Sequence, residues 1–100
     1  MQDIKNSEEY KNLWTRANYD DLTKVLNRRA GRERLISLLE KARTESRILV
    51  VALCDVNDLK QINDRHGHRE GDNMLRYVAM SMSRELKEND VLFRLSGDEF

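Results

Sequence analysis

Two groups of carboxylates have the types and spacing to do chemistry. Asp55, with Asn57 and Asp58 just beyond it, closes the apolar run Arg47–Cys54 (RILVVALC), and Asp98 and Glu99 lie in the turn after Val91–Leu95. Both runs read as strands. If those strands are neighbours in one sheet, the carboxylates converge. Converging hard oxygens beside a strand end suit magnesium or manganese better than zinc. Magnesium held by a few carboxylates usually shares its shell with substrate phosphates. Acids at strand ends are also ordinary solvated turn residues. That reading suffices for either group alone, but two groups separated by one helical crossover keep the metal reading open beside it.

A second constellation runs from Lys60 to Asp72 (KQINDRHGHREGD). Gly67 and Gly71 bracket a tight connection that would put Asp72 in the first turn of the following helix, where the helix dipole favours a carboxylate. The functional alternative is base recognition. Guanine presents two adjacent donors on its Watson–Crick edge that one carboxylate accepts together, and Asn63 can donate and accept nearby; adenine lacks that donor pair. His66 and His68 have no matching third ligand, so they read as structural rather than as a zinc site.

Elements must position these groups. Apolar residues Ile4, Tyr10, Leu13, Trp14 and Ala17 fall near one face of a helix from Asp3 to about Asn18, and Tyr19–Thr23 breaks the pattern as a joint. A second helix is expected over Arg29–Arg43, with Leu35, Ile36, Leu38, Leu39 and Ala42 inward. Arg47–Cys54 reads as a strand buried on both faces, and Asp58–Asp64 as a short helix ended before Gly67. A further helix over Gly71–Lys87 would turn Leu75, Val78, Ala79, Met82 and Leu86 inward, with Met74, Met80 and Met82 as packing residues. Val91–Leu95 is the second strand. The returning strand of its hairpin would begin where the sequence stops, and a two-stranded sheet is marginal alone.

The 100 residues carry 18 basic and 18 acidic side chains, so the net charge is zero, which argues against holding nucleic acid or an anionic membrane by a bulk field. Charged residues are 36% of the chain against roughly 25% in an average domain, which leaves a small core under a charged coat. Proline is absent, which suits unbroken helices. The basic cluster Arg28, Arg29, Arg32 and Arg34 is interleaved with Glu33 and reads as a solvated face. A single cysteine, Cys54, excludes an intrachain disulfide and reads as a small core residue. The longest apolar run, Ile48–Cys54, is far short of the roughly 20 residues that cross a bilayer. The start, Met1–Lys5, has no signal core or lipidation pattern, so a cytoplasmic protein, or the cytoplasmic part of a larger sensor, is expected.

Three segments together resemble the GGDEF domain family of diguanylate cyclases: Tyr19–Arg29 (YDDLTKVLNRR), Leu53–Asp72 (LCDVNDLKQINDRHGHREGD) and Phe93–Phe100 (FRLSGDEF), in that family's order and spacing. The resemblance implies an α/β, nucleotide-cyclase and polymerase-palm-like (ferredoxin-like) sandwich over residues 19–100, preceded by a linker or signalling helix over 1–18. It implies condensation of two GTP into cyclic di-GMP by a homodimer, each domain holding one GTP. It places magnesium, with manganese as a substitute, on the carboxylates of Asp55 and Asp98 and the carbonyl of Val56, with Glu99 assisting. By the same resemblance Asp98 activates the 3′-hydroxyl, Lys60 stabilises phosphate charge, Asn63 and Asp72 read guanine, and His68 lines the substrate site. An upstream sensor domain is the implied partner. The rival expectation is a non-catalytic module of the same family that binds GTP or a protein and regulates a neighbour.

Four features depart from the family pattern. Ser96 replaces the first signature glycine and is small enough for the turn. Asn57 replaces a common acid two places after Asp55. Lys87-Glu88-Asn89-Asp90 stands where many members carry an RxxD inhibitory site; lysine lacks arginine's planar fork, so weak product inhibition is expected. Family members continue past the signature, so a chain ending at Phe100 is expected to be inactive alone.

Overall fold

The computed structural model describes residues 3–100, with side chains from residue 7 onward. Met1 and Gln2, and the side chains of residues 3–6 including Ile4, lie outside the described part. Four helices form in order: α1 (Asp3–Asn18), α2 (Arg28–Thr44), α3 (Leu59–His66) and α4 (His68–Arg84).

The joint between α1 and α2 is closed by side chains. Asn27 caps α2 by accepting the Ala30 amide at 2.9 Å, which supplies one of the acceptors that the first helical turn lacks. Its Nδ2 donates to the Ala17 carbonyl at 2.8 Å, and Arg29 Nη2 donates to the same carbonyl at 2.6 Å and to Asn18 Oδ1 at 2.9 Å. The start of α2 thus holds the end of α1. Gly31 on α2 lies flat against Phe93; a methyl there would fall 1.9 Å from the ring's Cγ.

Gly67 alone separates α3 from α4. Its φ of 91° is one that a side chain would strain, and its amide closes α3 on the Asn63 carbonyl at 2.9 Å. The helix expected from Gly71 therefore begins at His68. Asp72 falls in its second turn rather than its first, and the first-turn acid is Glu70, so the dipole account of Asp72 is corrected. Leu75 and Ala79 are buried with Val25 and Phe100, and Leu22, Val56, Leu59, Val78, Met82 and Leu92 pack around them. Leu86, expected inward, is 38% exposed. On α2, Leu35, Leu38 and Ala42 are half-buried, whereas Ile36 and Leu39 face solvent.

The strand expectations need the largest correction. Arg47–Cys54 is extended, but Ile48 is 93% and Val50 85% exposed, and Cys54 is exposed rather than a core residue. A β-branched run is buried only when neighbouring strands cover it. Among the described residues the pairing is confined to isolated bridges, Tyr19 with Leu26, Leu26 with Phe93, Asp55 with Glu99 and Ser96 with Glu99, so no sheet is found there. The bridge of Asp55 with Glu99 does bring the two carboxylate groups together, as expected, although through the turn after Val91–Leu95 rather than through a sheet. No helix among the described residues is long and apolar enough to cross a membrane.

Candidate functional site: two carboxylates and a helix hairpin

The run through Cys54 to Val56 pairs antiparallel with Asp98 to Phe100. Cys54 and Phe100 exchange both backbone hydrogen bonds, at 2.7 and 2.8 Å, and the Val56 amide donates to the Asp98 carbonyl at 2.8 Å. Phe100 drives this closure, because its buried ring joins Val25, Leu75 and Ala79. The pairing brings Asp55 opposite Glu99 and beside Asp98. Repulsion from Asp98 is the main reason the Asp55 carboxyl titrates above its ordinary range; partial loss of water, a hydrogen bond between the two carboxyls and the Glu99 charge add to it. An Asp55 carboxylate set against the charge of Asp98 belongs to a donor set that a divalent cation would relieve. Glu99 accepts a short hydrogen bond from the Ser96 hydroxyl. No group of three His, Cys, Asp or Glu side chains stands ready around one point among the described residues. The oxygens that the pairing sets near one another for a cation are the carboxylates of Asp55 and Asp98.

The turn itself is held by Arg94. Its guanidinium donates from Nε to the Ser96 and Gly97 carbonyls at 3.3 and 3.2 Å, and from Nη2 to Gly97 at 2.8 Å. Nη1 pairs with Asp20, 3.1 Å away, and both side chains are about four-fifths buried. Asp20 also accepts the Thr23 amide and hydroxyl at 2.8 and 2.7 Å. Burial alone would raise the Asp20 carboxyl, but the Thr23 and Arg94 hydrogen bonds and the arginine charge outweigh it and hold the group below its ordinary value. Arg94 and Asp20 did not emerge as site residues from sequence reasoning. Both fall within motifs quoted above, but nothing local signals a pair 74 residues apart.

The other site residues lie on the helix hairpin. Asp58, at φ 62°, turns the chain from Val56 into α3. That turn places Lys60, exposed, on the first turn and Asn63, half-buried, on the second. His68 starts α4 and is exposed, and Asp72 is half-buried. Asn63 Oδ1 is buried without any hydrogen-bond partner. A methyl on Gly71 would fall 1.7 Å from that oxygen, so the absence of a side chain at 71 is what makes room for it. An orphaned acceptor of this kind normally costs about 1–3 kcal/mol, and it lies against Gly71, the residue before the acid at 72. The structure thus assembles Asp55, Val56, Asp98 and Glu99 on one pairing and Asn63 with Gly71–Asp72 on the hairpin, while Lys60 and His68 stand free in solvent.

The comparisons with known proteins agree with this arrangement. A family model described as diguanylate cyclase, GGDEF domain, matches residues 17–100. Diguanylate cyclase TpbB of Pseudomonas aeruginosa is 39% identical over 93 residues, 93% of this chain and 21% of that protein. Cyclic di-GMP phosphodiesterase PdeB of Shewanella oneidensis is 40% identical over 101 residues, all of this chain and 11% of that protein. The chain thus spans between a tenth and a quarter of the length of these relatives. Among solved structures, the coiled coil and GGDEF domain of DgcB from Caulobacter crescentus, in complex with c-di-GMP, superposes with a TM-score of 0.84 at 25% identity, over 98% of this chain and 51% of that one. Because the matched residues contain the carboxylate pairing, the arginine-held turn and the helix hairpin alike, this chain belongs to the GGDEF domain family.

Proposed function

We propose that the protein carrying this chain is a diguanylate cyclase, condensing two GTP into cyclic di-GMP with release of two pyrophosphates, each of two facing domains holding one GTP. The observation that carries this reading is the Asp55–Asp98 pair, in which backbone pairing brings two carboxylates together against a repulsion that a divalent cation would relieve at neutral pH. Asp55, Asp98 and the Val56 carbonyl would hold magnesium or manganese. When bound, the metal would supply Lewis-acid polarisation of the phosphates. Asp98 accepts the proton of the attacking 3′-hydroxyl, and Lys60, exposed on the first turn of α3, neutralises phosphate charge. Asn63 Oδ1 and Asp72 accept from the guanine edge, which satisfies the orphaned oxygen. His68 lines the same site, and Glu99 steadies the turn through Ser96. An α/β palm-like sandwich over residues 19–100 belongs to this reading, supported by the Cys54–Phe100 pairing. So do a cytoplasmic location, an upstream sensor domain and a signalling role for α1. The structure that matches α1 as well as the domain is described as containing a coiled coil.

The second reading, a non-catalytic regulatory module that binds GTP or a protein partner, is favoured by one observation. PdeB, which matches the whole of this chain, is named for the opposite activity. Asp98→Asn in the intact protein separates the two. In a cyclase it abolishes cyclic di-GMP formation from GTP and magnesium while the fold persists. Signalling that survives the change would sink the catalytic reading.

A further inference from the structure

We propose that Arg94 is a positioning residue that sets the geometry of Asp98 by tying the signature turn to the α1–α2 joint through Asp20. The proposal rests on the cyclase reading for the role of Asp98, but its geometry stands independently. Arg94 spends its planar fork in two directions. One edge holds the carbonyls of Ser96 and Gly97, and the peptide of Gly97 leads directly into Asp98. The other edge holds Asp20, whose carboxylate is fixed by Thr23, itself buried at 8% exposure. The backbone repeats the link, since the Arg94 amide donates to the Leu26 carbonyl at 3.0 Å. Asn27, next to Leu26, donates from its own amide to the Asn18 carbonyl at the end of α1, at 2.9 Å.

Burial makes this pair more than a surface contact. The other ion pairs among the described side chains are between exposed groups and belong to the class worth little. The Asp20–Arg94 pair is shielded, charge-assisted and extended by two carbonyl acceptors. Turn carbonyls pointing at a guanidinium fix the peptide planes on either side, so the Asp98 carboxylate inherits its aim from Arg94. A tilt of α1 then reaches Asp98 through Asn18, Leu26 and Arg94 without passing through the helix hairpin that bears Asn63 and Asp72.

The test uses the intact protein with Arg94→Lys, which keeps the charge but cannot span both acceptor sets, and Asp20→Asn. Leu38→Ala on α2 serves as a control for lost stability. Four quantities are read: kcat for GTP, KM for GTP, magnesium half-saturation of binding to a non-reacting GTP analogue, and hydrogen exchange at the Val56 amide, which is bonded to Asp98. A misplacement of this kind predicts a kcat loss of about 10- to 100-fold in Arg94→Lys. Magnesium half-saturation should rise and Val56 exchange quicken, while KM for GTP stays near the parent's. Parental kcat, magnesium dependence and exchange in Arg94→Lys would overturn the proposal. So would an equal kcat loss in Leu38→Ala at matched Tm. If the parent makes no cyclic di-GMP, the cyclase reading fails on its own, and the magnesium and exchange readouts still decide the role of Arg94.

Discussion

Replacing Gly71 by alanine should separate stability from nucleotide recognition. The new methyl would lie 1.7 Å from Asn63 Oδ1, 2.8 Å from its Cγ and 3.3 Å from its Nδ2. All three atoms are at the free end of a side chain, so Asn63 can swing away without moving backbone. Three terms decide the effect on folding. Alanine in place of glycine inside α4 favours the helix by about 1 kcal/mol. Pushing Asn63 off its rotamer costs about 0.5–1.5 kcal/mol. Moving Oδ1 from its buried, partnerless position into water recovers some of the roughly 1–3 kcal/mol that the orphaned acceptor costs. The balance is neutral to stabilising, although a side chain has been added at a packed contact.

Recognition moves the other way. An Asn63 turned out of place cannot accept from guanine, and a lost neutral hydrogen bond of about 0.5–1.5 kcal/mol weakens GTP by roughly two- to tenfold. The assay is thermal denaturation by circular dichroism beside calorimetric titration with a non-reacting GTP analogue, parent against variant. A Tm lowered by the equivalent of about 3 kcal/mol, at roughly 4–8 °C per kcal/mol, would show that Asn63 cannot yield. Unchanged GTP affinity would show that Asn63 only locks the hairpin. Either result refutes the reasoning.

Gly31→Ala should behave oppositely to Gly71→Ala: its methyl meets Phe93 Cγ at 1.9 Å and Cβ at 2.3 Å, atoms close to the backbone, so overpacking of about 1–3 kcal/mol exceeds the helix gain and Tm falls. Asp20 has a carboxyl held below its unfolded value, so its contribution is complete above about pH 4 and is lost as pH falls through the folded value; urea midpoints in Asp20→Asn should therefore show a shallower decline on acidification than the parent. Asp55 runs the other way, because its raised carboxyl lets stability fall as pH rises through the folded value; millimolar magnesium should raise Tm at pH 7, and Asp55→Asn should remove that rise. Lys87→Arg should strengthen product inhibition by cyclic di-GMP, read as a lower inhibitory concentration, since arginine restores the planar fork; an unchanged value would count against any inhibitory role for the Lys87–Asp90 turn.

The helices were legible because their cues are local. Apolar spacing placed α1 at Asp3–Asn18, and α2 and α3 within a few residues, while the lone Gly67 marked the break before α4. The start of α4 was not legible. Gly71 looked like a second breaker, whereas its role is to admit Asn63, a packing demand from another helix that its own neighbours in sequence do not express. The carboxylate groups were visible as residues but not in register. Strand-end logic brought Asp55 towards Asp98 and Glu99 on the condition that Arg47–Cys54 and Val91–Leu95 are neighbours in a sheet, while the pairing that joins them is made by the limb after the turn, Asp98–Phe100, with Asp55 opposite Glu99. The run Ile48–Leu53 shows the limit of composition: a β-branched pattern states that a segment can be covered by strands, not that it is.

What decides the site is therefore the set of long-range ties, and they share one logic. Phe100 is buried against α4 and brings Asp98 and Glu99 alongside Asp55, so hydrophobic burial works against the electrostatic repulsion it creates. Arg94 meets the same turn from the other side, with two carbonyls and one carboxylate as acceptors. Gly71 lets a buried oxygen remain without a partner. In the first and last of these packing holds a polar group in a state it would not choose alone, and each such state is one that a phosphate-bound cation or a guanine edge would relieve, whereas the Arg94–Asp20 tie is satisfied in itself and fixes the turn. A protein selected only for stability would relax both strained groups by single substitutions such as Asp55→Asn or Gly71→Ala. The Asp55–Asp98 pair and the partnerless Asn63 oxygen together are what supports the nucleotide-and-metal reading proposed above.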